Sequence, residues 1–145
     1  MTRATRQMRN FAERLISYEA AGNKFAELKP SSVFPVSEKL RPPLATLMGV
    51  SGFRALLLRA LVLAQEEVRW LRAVHVKSDG SLEGLEELRA QIAADEFSEG
   101  KVVLLARLLG LLVDFIGEKL MLQMVREVWP GLFLKDLDFN KGHSV

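Results

Sequence analysis

Charged residues and glycines interrupt the most apolar part of the chain. Arg107, Gly110, Asp114, Gly117 and Glu118 follow one another at spacings of three, four, three and one residues, which places them on one stripe of a helix. A guanidinium and a carboxylate beside glycines could hold a ligand, because glycine lets a ligand or a second backbone approach closely. The simpler interpretation is a stripe that faces solvent or whose charges form ion pairs with other helices.

His75 is the one histidine of the predicted helical region. A single histidine near the end of a helix is typical of a capping or surface residue, although it could also contact a ligand. Arg54 and Arg59, on a predicted central helix, are the candidate partners for buried acids. A small-molecule sensor or carrier with an apolar or acidic ligand between the helices would therefore use Arg107, Asp114, His75, Gly110 and Gly117.

Catalytic chemistry has little support in the sequence. The chain has no cysteine and two histidines among 145 residues, which excludes thiolate metal sites, disulfides and a cysteine nucleophile. It contains no phosphate-binding loop, dinucleotide fingerprint, HExxH or calcium-loop motif, and no nucleophile elbow surrounds Ser51 or Ser78. We expect a protein that is not an enzyme and has no cofactor and no metal.

Apolar residues are abundant for a chain of this size. They make up 49% of the sequence, which suggests more nonpolar surface than one core can hide. Aromatic and methionine side chains are enriched at protein interfaces, and several occur near the end of the last predicted helix. The predicted interface of a homodimer or of another protein partner consists of Leu120, Met121, Met124, Trp129 and Phe133.

The charge is unevenly distributed, although the net charge is +2. Residues 1–77 contain 13 basic and 6 acidic residues (+7), and residues 78–145 contain 7 and 12 (−5). The two halves could neutralise each other on packing. Alternatively, Arg3, Arg6, Arg9 and Arg14 on the first helix could contact nucleic acid, but without interleaved aromatic residues or a recognition motif this partner is not our leading prediction.

Hydrophobic periodicity predicts helices throughout the chain. We expect a single all-α bundle of about five helices in one domain, 1–131, followed by a partly mobile tail, 132–145. The helices are predicted over 2–21, over 36–48 with a division at Pro42-Pro43, over 51–77 as the central helix, from 81 to about 92, and over 98–129. A turn is predicted at residues 78–80.

The last helix is long for a compact domain. Thirty-two residues would extend about 48 Å if straight, so we expect a kink near Gly110 or Gly117 or a projection into a partner. The longest apolar stretch, 102–116, is shorter than a membrane span and contains two charges, so we expect no transmembrane helix and a cytoplasmic location. The leading functional hypothesis is a self-associating interaction or regulatory module.

Overall fold

The protein folds as an all-α bundle, as predicted. The computed structural model describes residues 5–23 and 34–132, and these contain five α-helices, one 3-10 helix and a two-stranded sheet. The elements in chain order are α1 (Arg6–Asn23), α2 (Pro35–Gln65), the 3-10 helix (Arg69–Ala73), β1 (His75–Val76), β2 (Leu82–Glu83), α3 (Leu85–Gln91), α4 (Ala94–Ile116) and α5 (Glu118–Val128).

The centre of the bundle is α4. It packs against α1, α2, α3 and α5, and its residues 102–106 are five consecutive buried positions. A helix that is buried on several faces has neighbours on all of those sides. The prediction that the helix beginning at Ser51 is central was therefore wrong, since α2 has a buried face and an exposed one.

Pro42 and Pro43 do not divide α2. The backbone keeps helical angles through both prolines, and the break comes at Gly49, with φ 82° and ψ 157°. The fixed φ of proline suits a helix, and the cost is confined to the missing amide donors and the crowding of the preceding turn. Because φ is positive at Gly49, glycine carries the break more readily than a residue with a side chain.

The second half of the predicted third helix is absent. α2 ends at Gln65, and residues 69–76 contain the 3-10 helix and β1 instead. Leu71, Val74 and Val76 are buried in this segment, so its apolar spacing of three and then two matches a 3-10 turn followed by a strand. β1 pairs with β2 in antiparallel fashion, His75 opposite Glu83, and the predicted turn at residues 78–80 joins them.

The long C-terminal helix is divided at Gly117. This glycine has φ 93°, ends α4 and begins α5, whereas Gly110 remains helical. One of the two predicted kink positions is thereby confirmed. α5 then packs back on α4 and α2.

By length and composition, α2 could cross a membrane, and the same is true of core helices in many proteins that never enter one. The described residues contain no second helix of this kind. The predicted tail, 132–145, lies outside the described residues apart from Leu132.

Candidate functional site

Arg107 forms a buried ion pair with Glu67. The guanidinium Nε and Nη2 lie 2.9 and 2.7 Å from the same carboxylate oxygen, Oε2 of Glu67, and each side chain is 10% exposed. Glu67 lies two residues after the end of α2. The pair ties the end of α2 to the middle of α4. Arg54 and Arg59, the predicted partners of buried acids, take no part in this contact.

The other predicted ligand-binding residues do not gather around Arg107. Asp114 is exposed two turns further along α4, and His75 is exposed on β1. A side chain at Gly110 or Gly117 would meet no atom of the described residues within 4 Å, so neither glycine marks a close approach within the chain. Gly117 serves the break between α4 and α5.

Three of the predicted interface residues belong to the core. Met121, Met124 and Trp129 are 0%, 7% and 2% exposed. The Trp129 indole donates a hydrogen bond of 2.8 Å to the buried Glu19 carboxylate, and Lys39 Nζ lies 2.9 Å from the same oxygen. Their prediction as interface residues is corrected, because the break at Gly117 turns this face of α5 toward its own bundle.

The two remaining interface predictions have different outcomes. Leu120 is 39% exposed and is available at the surface. Phe133 lies outside the described residues.

The N-terminal arginine stripe is only partly available. Arg6 and Arg14 are exposed on α1, and Arg9 forms an ion pair of 2.7 Å with Glu99 of α4. Arg3 lies outside the described residues. The charge of Arg9 therefore contributes to helix packing, which weakens a phosphate-binding interpretation of this stripe.

Lys101 is a half-buried charge on α4. Its ammonium group lies 5.2 Å from the centre of the Phe97 ring and 5.9 Å from that of Phe34, distances at which an aromatic face attracts a cation. Burial lowers the pKa of Lys101 below its usual value, and the nearby positive charge of Arg89 lowers it further. Phe97 stacks in turn on Trp70, with ring centres 5.1 Å apart.

A groove between α2 and α5 is a concave surface with apolar side chains on both walls. It has a volume of about 440 Å³. Its lining comes from the part of α2 before Gly49 and from α5: Pro43, Thr46, Leu47, Leu120, Gln123, Met124 and Glu127. We call this surface the α2/α5 groove. Leu47 is 48% exposed, so the groove holds two large apolar side chains in contact with solvent.

Two further apolar side chains, beside the two glycine breaks, are exposed. Val50 follows the break at Gly49 and is 48% exposed, and Phe115 precedes the break at Gly117 and is 66% exposed. Exposed apolar side chains close together on a surface are typical of binding sites, whereas isolated ones are common on any protein. The two glycine breaks therefore adjoin the segments that carry this apolar surface.

Three polar residues form an exposed row on α5. Lys119, Gln123 and Glu127 are spaced by four residues, so they lie along one side of the helix. Lys119 and Glu127 are eight residues apart, or about 12 Å, which is too far for an ion pair with each other. Within residues 5–23 and 34–132 neither side chain forms an ion pair.

Sequence reasoning missed Leu47, Val50 and Phe115. Each lies in an apolar run where helical periodicity gives no means of separating core from surface positions. The signal that could have found them is their closeness to Gly49 and Gly117, since a break in a helix changes which side chains face the core.

Comparisons with known proteins give no relative. No protein-family model, no curated protein and no solved structure matches the chain.

Proposed function

We propose that this chain is a non-enzymatic interaction module that associates with a second copy of itself through the α2/α5 groove. The observation that carries the proposal is the exposure of Leu47 and Leu120 on the two walls of one groove. Val50 and Phe115, beside the two glycine breaks, expose further apolar surface. Removing these side chains from water would contribute about 25 cal/mol for each Å² of apolar surface buried.

The charges on α5 favour a second copy as the occupant. In a symmetric dimer each surface meets an identical surface, so the contact must be complementary to itself. If two α5 helices cross in antiparallel fashion at Gln123, Lys119 of each copy lies opposite Glu127 of the other, because both are four residues from the crossing point. Both charges are exposed and without an ion pair in the described part of the monomer.

The small-molecule alternative has less support. Its anchor, Arg107, is already neutralised by Glu67, and Asp114 and His75 are exposed on other parts of the surface. An acidic ligand would have to displace the Glu67 carboxylate from two hydrogen bonds. The sequence also lacks catalytic motifs, which favours binding over chemistry.

The test is the mass of the full chain in solution, measured by light scattering and sedimentation over a range of concentrations. We expect a dimer for the natural sequence and a monomer for Leu120→Glu, because the new carboxylates would be buried without partners. Val62→Glu is the matched control: Val62 is 55% exposed on α2 and outside the groove, so this variant should remain a dimer.

A charge exchange tests the orientation without changing the core. Lys119→Glu and Glu127→Lys should each weaken the dimer roughly tenfold, because symmetry makes each change act twice. The double variant should restore the affinity. The proposal would be contradicted if the natural chain were a monomer at several hundred micromolar. It would also be contradicted by a dimer that survives Leu120→Glu and is lost in Val62→Glu.

A further inference from the structure

The segment that replaces the predicted end of the third helix carries a row of basic side chains. From Val68 to Ser78 the sequence contains Arg69, Arg72, His75 and Lys77 and no acid. All four side chains are exposed. We call these four residues the basic edge.

Local geometry explains why the charges face outward together. In a 3-10 helix, side chains three residues apart lie above one another, so Arg69 and Arg72 point the same way. In β1 the side chains alternate, which exposes His75 and Lys77 and buries Val76. Leu71 and Val74 anchor the same segment in the core.

The basic edge is held in place by hydrogen bonds from other elements. The Arg54 guanidinium donates to the carbonyl oxygens of Lys77 and Val76, at 3.0 and 3.4 Å. The Gln65 amide donates to the carbonyl oxygen of Leu71, at 3.3 Å. The backbone that carries the cations is therefore positioned before any partner arrives, which reduces the entropy lost on binding.

Arg69 and Arg72 differ from four other arginines of this protein. Arg9, Arg41, Arg89 and Arg107 each form an ion pair with an acid, whereas within the described residues Arg69 and Arg72 form none. The exposed acids that adjoin the edge are Glu66, before the 3-10 helix, Glu83, opposite His75, and Asp79, two residues after Lys77. The two arginines thus present unneutralised guanidinium groups.

We propose that the basic edge binds the phosphate backbone of duplex nucleic acid, with Arg69 and Arg72 as the principal contacts and Lys77 beside them. The planar guanidinium matches the geometry of phosphate oxygens and donates two parallel hydrogen bonds. This surface is separate from the α2/α5 groove and from the N-terminal stripe of Arg6, Arg9 and Arg14.

Two observations favour a duplex over other polyanions. Trp70, the aromatic residue of the segment, stacks on Phe97 and donates a hydrogen bond of 3.2 Å to the carbonyl oxygen of Glu96, so one face of its ring is already covered against stacking by an unpaired base. Three apolar side chains of the edge, Leu71, Val74 and Val76, are buried, whereas a membrane-binding edge would expose apolar side chains for insertion into lipid.

The experiment is a titration of a labelled 20-base-pair DNA duplex of mixed sequence with the full chain, followed by fluorescence anisotropy from 20 to 200 mM NaCl. Each phosphate contact to a duplex contributes about 0.9 to the slope of log affinity against log salt. The variant Arg69→Gln/Arg72→Gln should therefore lose about 1.8 from this slope. At 100 mM NaCl its affinity should fall roughly 60-fold.

The matched control is Arg6→Gln/Arg14→Gln, which removes the same charge from the exposed face of α1 and should change the affinity less than threefold. Equal binding by the natural chain and the basic-edge variant would overturn the proposal, as would a loss confined to the control. Tighter binding to vesicles that contain phosphatidylserine than to the duplex would also overturn it. Far-ultraviolet circular dichroism of each variant checks that the fold is retained.

Discussion

Breaking the pair between Arg107 and Glu67 should be among the most damaging single changes in this protein. Arg107→Met keeps the aliphatic stem and removes the guanidinium from the Glu67 carboxylate, and Glu67→Gln removes the carboxylate charge from beside Arg107. Both side chains are 10% exposed, so the remaining charge recovers little hydration. Removing one partner of a buried pair costs about 3 to 5 kcal/mol.

A second pair in the same protein provides the control. Arg89 Nη2 lies 2.7 Å from Glu86 Oε2, the same distance as Arg107 Nη2 from Glu67 Oε2, but the two side chains are 57% and 65% exposed. Exposed pairs of this kind contribute about 0.3 to 0.5 kcal/mol. Arg89→Met should therefore change stability by less than 1 kcal/mol, and the contrast isolates the effect of burial.

The assay is urea unfolding followed by far-ultraviolet circular dichroism, with the slope against urea checked for constancy across variants. The costly single variants should also lower Tm by roughly 10 °C. The double variant Arg107→Met/Glu67→Leu should recover most of the loss, since two apolar side chains leave no buried charge. The reasoning is refuted if Arg107→Met and Glu67→Gln cost no more than Arg89→Met.

Two further predictions concern α4. Gly100→Ala should destabilise the protein by about 1 to 3 kcal/mol, because an added Cβ would overlap the Trp70 ring. Gly110→Ala, where the space is open, should be neutral or stabilising in the same urea assay. Equal effects of the two variants would contradict this packing. In the folded state the pKa of Lys101 is lower than its ordinary value of 10.5. Between the folded-state and unfolded-state pKa, the unfolded chain binds more protons than the folded one, so the free energy of unfolding should rise with pH there. Relative to Lys101→Met, the natural chain should gain stability as the pH rises toward 10.5, and a constant or falling difference would contradict the burial of this charge.

Local periodicity was sufficient for the fold class and for several boundaries. The leucine-rich 3.6-residue pattern predicted an all-α bundle, and the glycine at position 117 marked the break in the last helix. Ser78-Asp79-Gly80 predicted the turn, which the structure places between β1 and β2. These features depend on backbone preferences and on neighbours within a few residues, so the sequence carries them directly.

The end of the third helix and the position of the central helix required the tertiary structure. Helical and 3-10 spacings both place residues 68, 71 and 74 on one side, and the choice is made by what those side chains and Trp70 pack against. Likewise, α4 is central because α1, α2 and α5 all pack on it, which is a property of the whole chain.

The candidate surfaces show the same division. The residue types of the basic edge and of the apolar surface are visible in the sequence, but burial decides which of them can meet a partner. Met121, Met124 and Trp129 have the composition of an interface and lie in the core, whereas Leu47 and Phe115 look like core residues and are exposed. An apolar side chain has the same chemistry in either place, and only long-range packing determines whether it contacts water.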